Sequence, residues 1–105
     1  MSLNKIKELK GSLAVARFEY ISNKVDLEHL ETKLYNEWKK DNPKDRTAKD
    51  KVLGEFYQSN NVLKSSHLEY INSKLKYEEL KDSWDLVKIL LSRPDLVIDD
   101  IVSTI

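Results

Sequence analysis

Cysteine is absent from this 105-residue chain, and glycine and proline occur only twice each. Without thiols there is neither a disulfide framework nor a thiolate metal site, so nothing points to an oxidising compartment and the cytoplasm is the expected location. So little glycine and proline argues against a turn-rich β protein. An excess of charge of one sign is missing as well. Eighteen basic and 18 acidic side chains balance, which removes the strongest general argument for a nucleic-acid partner and leaves only local patches to make it. Nor is there an apolar run of membrane-spanning length, and the start Met1-Ser2-Leu3-Asn4-Lys5 lacks the apolar core of a secretory signal. With Gly11 and Gly54 as the only glycines, no phosphate-cradling loop can be built.

What is abundant is charge, at 34% of residues, in a pattern suited to long, surface-exposed helices. From Ile6 the apolar positions fall at Ile6, Leu9, Leu13, Ala16, Tyr20, Leu27, Leu30 and Leu34, a 3-4 spacing that keeps one stripe toward one partner. Taking Ile6, Leu13, Tyr20, Leu27 and Leu34 as a positions sets Leu9, Ala16, Asn23 and Leu30 at d, with Asn23 the polar intruder. The spacing predicts a long helix over about 3–40. Pro43 ends it within a charged turn, 41–47, because proline removes a backbone donor and biases Asn42 away from helical dihedrals. Thr47 with Asp50 resembles a weak capping box for a short helix over about 48–58. Gly54 and the polar cluster Ser59-Asn60-Asn61 predict a break before a second long helix over about 61–92. Its seam is Leu63, Ser66, Tyr70, Ser73, Tyr77, Leu80, Trp84, Val87 and Leu91. After Pro94, the β-branched content of 95–105 permits a strand, but Ile98, Ile101, Val102 and Ile105 fit one helical face and Pro94 with Asp95 suits a helix start, which favours a short C-terminal helix.

The expected fold is therefore all-α and a single domain over 1–105: an antiparallel hairpin of two long, coiled-coil-like helices, with a short helix in the connection and another at the C-terminus. A register setting Ala16 against Trp84, Asn23 against Tyr77, Leu27 against Ser73, Leu30 against Tyr70 and Leu34 against Ser66 would alternate large and small side chains across the seam. The chain also repeats itself. Phe18-Glu19-Tyr20-Ile21-Ser22-Asn23-Lys24-Val25 returns as Leu68-Glu69-Tyr70-Ile71-Asn72-Ser73-Lys74-Leu75, with the heptad register preserved. The repeat puts Phe18, Ile21, Val25, Leu68, Ile71 and Leu75 away from the a/d seam, where a two-helix hairpin cannot bury them. These six are the expected oligomer interface, most simply in a dimer of hairpins forming a four-helix bundle.

Chemistry-bearing constellations are sparse. His29 has Glu28 and Glu31 nearby but no second histidine or cysteine at ligand spacing, so both His29 and His67 read as solvated helix residues and no metal site or cofactor is expected. Glu78, Glu79, Asp82 and Asp85 form an acidic cluster, yet Lys74, Lys76 and Lys81 lie within helix-pair distance and supply ordinary ion pairs. No enzymatic activity and no small-molecule substrate are expected. Tyr20, Tyr70, Tyr77 and Trp84 read as seam residues rather than a stacking platform. The stretch around the turn differs: Lys39, Lys40, Lys44, Arg46, Lys49 and Lys51 stand among Tyr35, Trp38 and Tyr57. Basic side chains interleaved with aromatics can neutralise phosphates and stack bases, so these six are the candidate nucleic-acid contacts. The competing reading is a solvated loop whose aromatics close the end of the bundle.

Ala16-Arg17-Phe18-Glu19-Tyr20 through Leu34-Tyr35, the charged turn with Thr47-Ala48, and Leu63 through Leu91 with Glu69-Tyr70, Leu80 and Trp84 together resemble the UvsY-like recombination mediators of tailed phages and prophages. That resemblance covers most of the chain and rests on architecture rather than a diagnostic motif. It implies a small, cytoplasmic, all-helical accessory protein that binds single-stranded DNA and recombination proteins, with the basic turn as the place of contact. The alternative is a protein–protein adaptor or inhibitor of helical-bundle type that binds no nucleic acid.

Overall fold

The structure is a computed structural model and describes residues 2–92; the C-terminal segment 95–105, expected to be a short helix, lies outside them. The described residues are helical throughout except for short connections: α1 is Ser2–Asp41, α2 is Lys49–Ser59 and α3 is Asn61–Leu91. The two long helices, α1 and α3, pack against each other, as the paired seams require.

Each helix end has a local cause. At the end of α1 both the backbone N–H and the side-chain amide of Asn42 donate to the Trp38 carbonyl, at 3.0 Å each, and Pro43 then prevents continuation. Lys39 and Lys40 occupy the last turn of α1, where the exposed carbonyls favour cations. The start of α2 departs from the expected capping box. Ala48 is the N-cap, and its methyl side chain can make no cap bond; the Thr47 hydroxyl, which the capping box would have used, is directed backwards and donates to Asp45 Oδ1 at 2.6 Å. Between α2 and α3 the chain breaks at one residue. Asn60 is extended, with φ −102° and ψ 108°; its N–H donates to the Phe56 carbonyl at 2.7 Å, and its Oδ1 accepts from the Leu63 N–H at 3.0 Å. One asparagine thus closes one helix and caps the next. At the end of α3 the Ser92 hydroxyl donates to the Ile89 carbonyl at 2.6 Å.

The described residues form two compact units, 2–20 with 73–92, and Ile21–Asn72. In the first, Ala16 and Val87 are buried and the rings of Tyr20 and Tyr77 stack at 5.5 Å with planes 16° apart. In the second, Leu27, Val52, Leu53 and Leu63 are buried, so α2 contributes a core of its own rather than merely spanning a connection. Burying such side chains is worth about 1.5–3 kcal/mol each.

The a and d positions of both long helices are all half-buried or buried from Ile6 to Leu34 and from Leu63 to Val87. Their register differs from the large-against-small pairing. Tyr77 meets Tyr20, one turn of α1 away from Asn23. Asn23 instead directs its amide at the Glu69 carbonyl, 3.4 Å away. Aromatic stacking, worth about 0.5–1.5 kcal/mol beyond area burial, sets two large residues face to face where volume alternation would have separated them. Gly11 and Gly54 are not packing requirements of the single chain, since a β-carbon at either would meet nothing within 4 Å.

Candidate nucleic-acid interface

The basic turn lies within the unit Ile21–Asn72 and is built by backbone-directed bonds. Asp45 organises it: its Oδ1 accepts from the Thr47 hydroxyl at 2.6 Å and from the Thr47 N–H at 2.8 Å. Those two bonds, in that order, hold the Asp45 carboxyl below its ordinary pKa, with a smaller contribution from the Lys39 charge. Lys39 reaches across the turn and donates from Nζ to the Asp45 carbonyl. Tyr35 and Trp38, one turn apart on α1, stack with centroids 6.0 Å apart. Lys49, from the first turn of α2, stands 5.4 Å over the Tyr35 ring, a distance at which an ammonium gains from the ring's negative face.

The six predicted basic contacts therefore divide in two. Lys39 and Lys49 tie α1, the turn and α2 together. Lys40, Lys44, Arg46 and Lys51 are exposed, as is Lys49. The three acids of the stretch, Asp41, Asp45 and Asp50, are exposed too, so the local field is positive but diluted. Trp38 has a second neighbourhood that sequence reasoning missed. With Val52, Glu55, Phe56 and Ser59 it lines a pocket of about 170 Å³. The clue available in the sequence was the spacing Val52, Phe56, Ser59 on α2, which puts these side chains on one face.

Tyr57, grouped by sequence with the basic turn, takes part in another cluster. Its ring meets His67 edge-on at 5.2 Å, and His67 is 6.3 Å from Tyr70. The three line a cavity of about 320 Å³ together with Lys24, Leu27, Glu28 and Glu31. Burial, the Glu31 charge and a side-chain hydrogen bond to Glu31 push the Tyr57 pKa up to about 12. His67 corrects the expectation of a solvated residue: its Nδ1 is buried and has no hydrogen-bond partner, because the ring is lodged beside Tyr57. His29, by contrast, is exposed.

The shift at Tyr57 fixes a pH dependence. From pH 10.0, where the unfolded phenol is half-ionised, to about 12, where the native one is, the native state binds more protons than the unfolded one. Stability from this group is complete below that window and is lost as pH rises through it. Urea midpoints followed across the window should fall more steeply for the wild type than for Tyr57→Phe. Parallel profiles would dissociate Tyr57 from the effect.

The acidic cluster on α3 is accounted for in part by the pair Asp85–Lys88, at 3.3 Å. Among the described residues no group of three or more His, Cys, Asp or Glu side chains is arranged to hold a metal ion. No helix among them is long and apolar enough to cross a membrane.

The six residues predicted to form an oligomer interface are exposed, at 74% for Phe18, 59% for Leu68, 52% for Leu75, 45% for Ile21, 41% for Val25 and 37% for Ile71. The contact between α1 and α3 thus leaves a second apolar stripe uncovered on each helix. Comparison with protein families, with curated proteins and with solved structures gives no match.

Proposed function

We propose that this chain is a non-enzymatic scaffold, an antiparallel coiled-coil-like hairpin that self-associates and holds single-stranded nucleic acid at its basic turn. In this reading it acts in the cytoplasm as an accessory protein in DNA recombination of the phage and prophage type. The observation that carries the reading is the exposure of Lys40, Lys44, Arg46 and Lys51 around a turn whose aromatic pair, Tyr35 and Trp38, stacks beside them. Exposed ammonium and guanidinium groups displace the counterions of a phosphate chain, and aromatic faces accept bases without regard to sequence.

Titration of a labelled single strand against salt tests it. Four phosphate contacts give a log–log salt slope of about −3 at most. Reversing Lys40, Lys44 and Arg46 to Glu should abolish binding while leaving Lys39 and Lys49 to close the turn. A wild-type protein that fails to bind single strands at low salt would sink the reading.

A second reading, a protein–protein adaptor or inhibitor without nucleic-acid binding, draws support from the apolar stripes. Phe18, Ile21 and Val25 on α1, like Leu68, Ile71 and Leu75 on α3, keep the 3-4 spacing that a partner helix needs. In the first reading a second copy of the chain covers these stripes; in the second, another protein does.

A further inference from the structure

The pocket beside the basic turn has a chemistry of its own. It is lined by the half-buried Trp38, at the end of α1, and Phe56, on α2, and by the buried Val52. Two exposed polar residues, Glu55 and Ser59, complete the lining. The Ser59 hydroxyl already donates its proton to the Glu55 carbonyl, at 3.2 Å, so its oxygen is left to accept. The Glu55 carboxylate, when ionised, also accepts only. Aromatic walls and an acceptor-only polar side describe the complement of a flat ring that carries N–H donors.

Size narrows the class. At about 170 Å³ the pocket is smaller than the roughly 300–1,000 Å³ of sites that enclose drug-sized molecules, and it suits a single ring better than a fused pair. Position narrows it further. The pocket draws on the end of α1 and on α2, and the segment between them carries the exposed Lys40, Lys44, Arg46 and Lys51, so a base seated here hangs from a sugar–phosphate chain that runs toward cations. We infer that the pocket takes one cytosine base of a single strand, stacked against Trp38 and Phe56, with its exocyclic amino group donating to the Glu55 carboxylate. Thymine presents a carbonyl oxygen at the equivalent position, which would face the carboxylate acceptor to acceptor. The inference rests on the basic turn being a nucleic-acid contact and adds a base preference to what would otherwise be indifferent to sequence.

The experiment compares oligodeoxycytidine with oligothymidine of equal length on the full chain, slightly above neutral pH and at low salt. The wild type should bind the cytidine strand about fivefold to tenfold more tightly, within the range one good carboxylate–base contact gives. Glu55→Gln, whose amide can donate to the thymine oxygen, should bring the ratio close to one. Trp84→Phe leaves Trp38 as the single tryptophan, so fluorescence quenching by the cytidine strand, and less by the thymidine strand, reports stacking at the pocket directly. Phe56→Leu checks the same wall by binding alone if the Trp84 variant does not fold. Equal, salt-sensitive binding of both strands would overturn the base pocket and leave the basic turn standing, as would a cytidine preference that survives Glu55→Gln. Binding of neither strand would overturn the basic-turn reading, and the pocket with it.

Discussion

Truncating Leu63 to alanine is expected to lower the unfolding free energy by about 3 kcal/mol, within the roughly 2–5 kcal/mol range for buried leucines cut to alanine. Leu63 is fully buried. It lies in the first turn of α3, where its own N–H is held by the Asn60 side chain at 3.0 Å, so the backbone has little freedom to collapse into the space left behind. The core it belongs to is small, with Leu27, Val52 and Leu53 as the other buried side chains of the unit Ile21–Asn72. A loss of that size should move the urea midpoint sharply without changing the slope of the transition. The neighbouring Val62 is 66% exposed, and Val62→Ala should change stability by less than about 0.5 kcal/mol. Equal effects at 62 and 63 would mean that the core is not where the structure puts it.

The second large effect concerns association. At 100° per residue, Phe18 and Val25 lie roughly opposite the seam that α1 turns toward α3, and Leu68 and Leu75 hold the matching positions on α3. Their exposure on both helices follows from that geometry, since one hairpin contact uses one stripe per helix. If a second copy covers them, replacing Phe18 and Leu68 together by glutamate should weaken self-association by at least about a hundredfold. Two apolar side chains worth about 1.5–3 kcal/mol each are lost, and a charge is buried in their place. Because both residues are exposed in the single chain, helicity should not change, which separates dissociation from unfolding. Sedimentation across micromolar concentrations provides the measurement. A wild-type protein that stays monomeric throughout would transfer the stripes from a second copy to a different partner.

The all-helical class, the packing of α1 on α3 and the identity of the seam were legible in the sequence because each depends on periodicity, which survives in one dimension. The positions left wet by a hairpin were legible for the same reason. The break before α3 was visible in Ser59-Asn60-Asn61, although not that Asn60 alone makes it. Register was not legible: it depends on whether Tyr77 gains more by stacking on Tyr20 than by facing Asn23, a three-dimensional comparison. The candidate site was read in part. Six basic residues were identifiable as a group, but which of them fasten the turn depends on where Asp45 and Tyr35 lie. The pocket of Trp38 and Phe56 was missed because its walls come from different helices. Tyr57 and His67 were misjudged for a related reason, as their mutual contact joins α2 to α3.

Asn60 is the one residue between α2 and α3, and its extended backbone is what returns α2 onto its own chain. Were that residue to turn helical, α2 and α3 would become one uninterrupted rod, and Val52 and Leu53 would be carried away from Leu63. A second molecule could then supply the missing helix through the same contacts. The junction is thus also a route to exchange of segments between molecules, in which two chains complete each other's cores with no new interface invented. The Asn60 side chain bonded to the Leu63 N–H, a cap worth about 1 kcal/mol, holds the break at that junction, so Asn60→Ala would make the straightened form, and with it exchange, easier to reach.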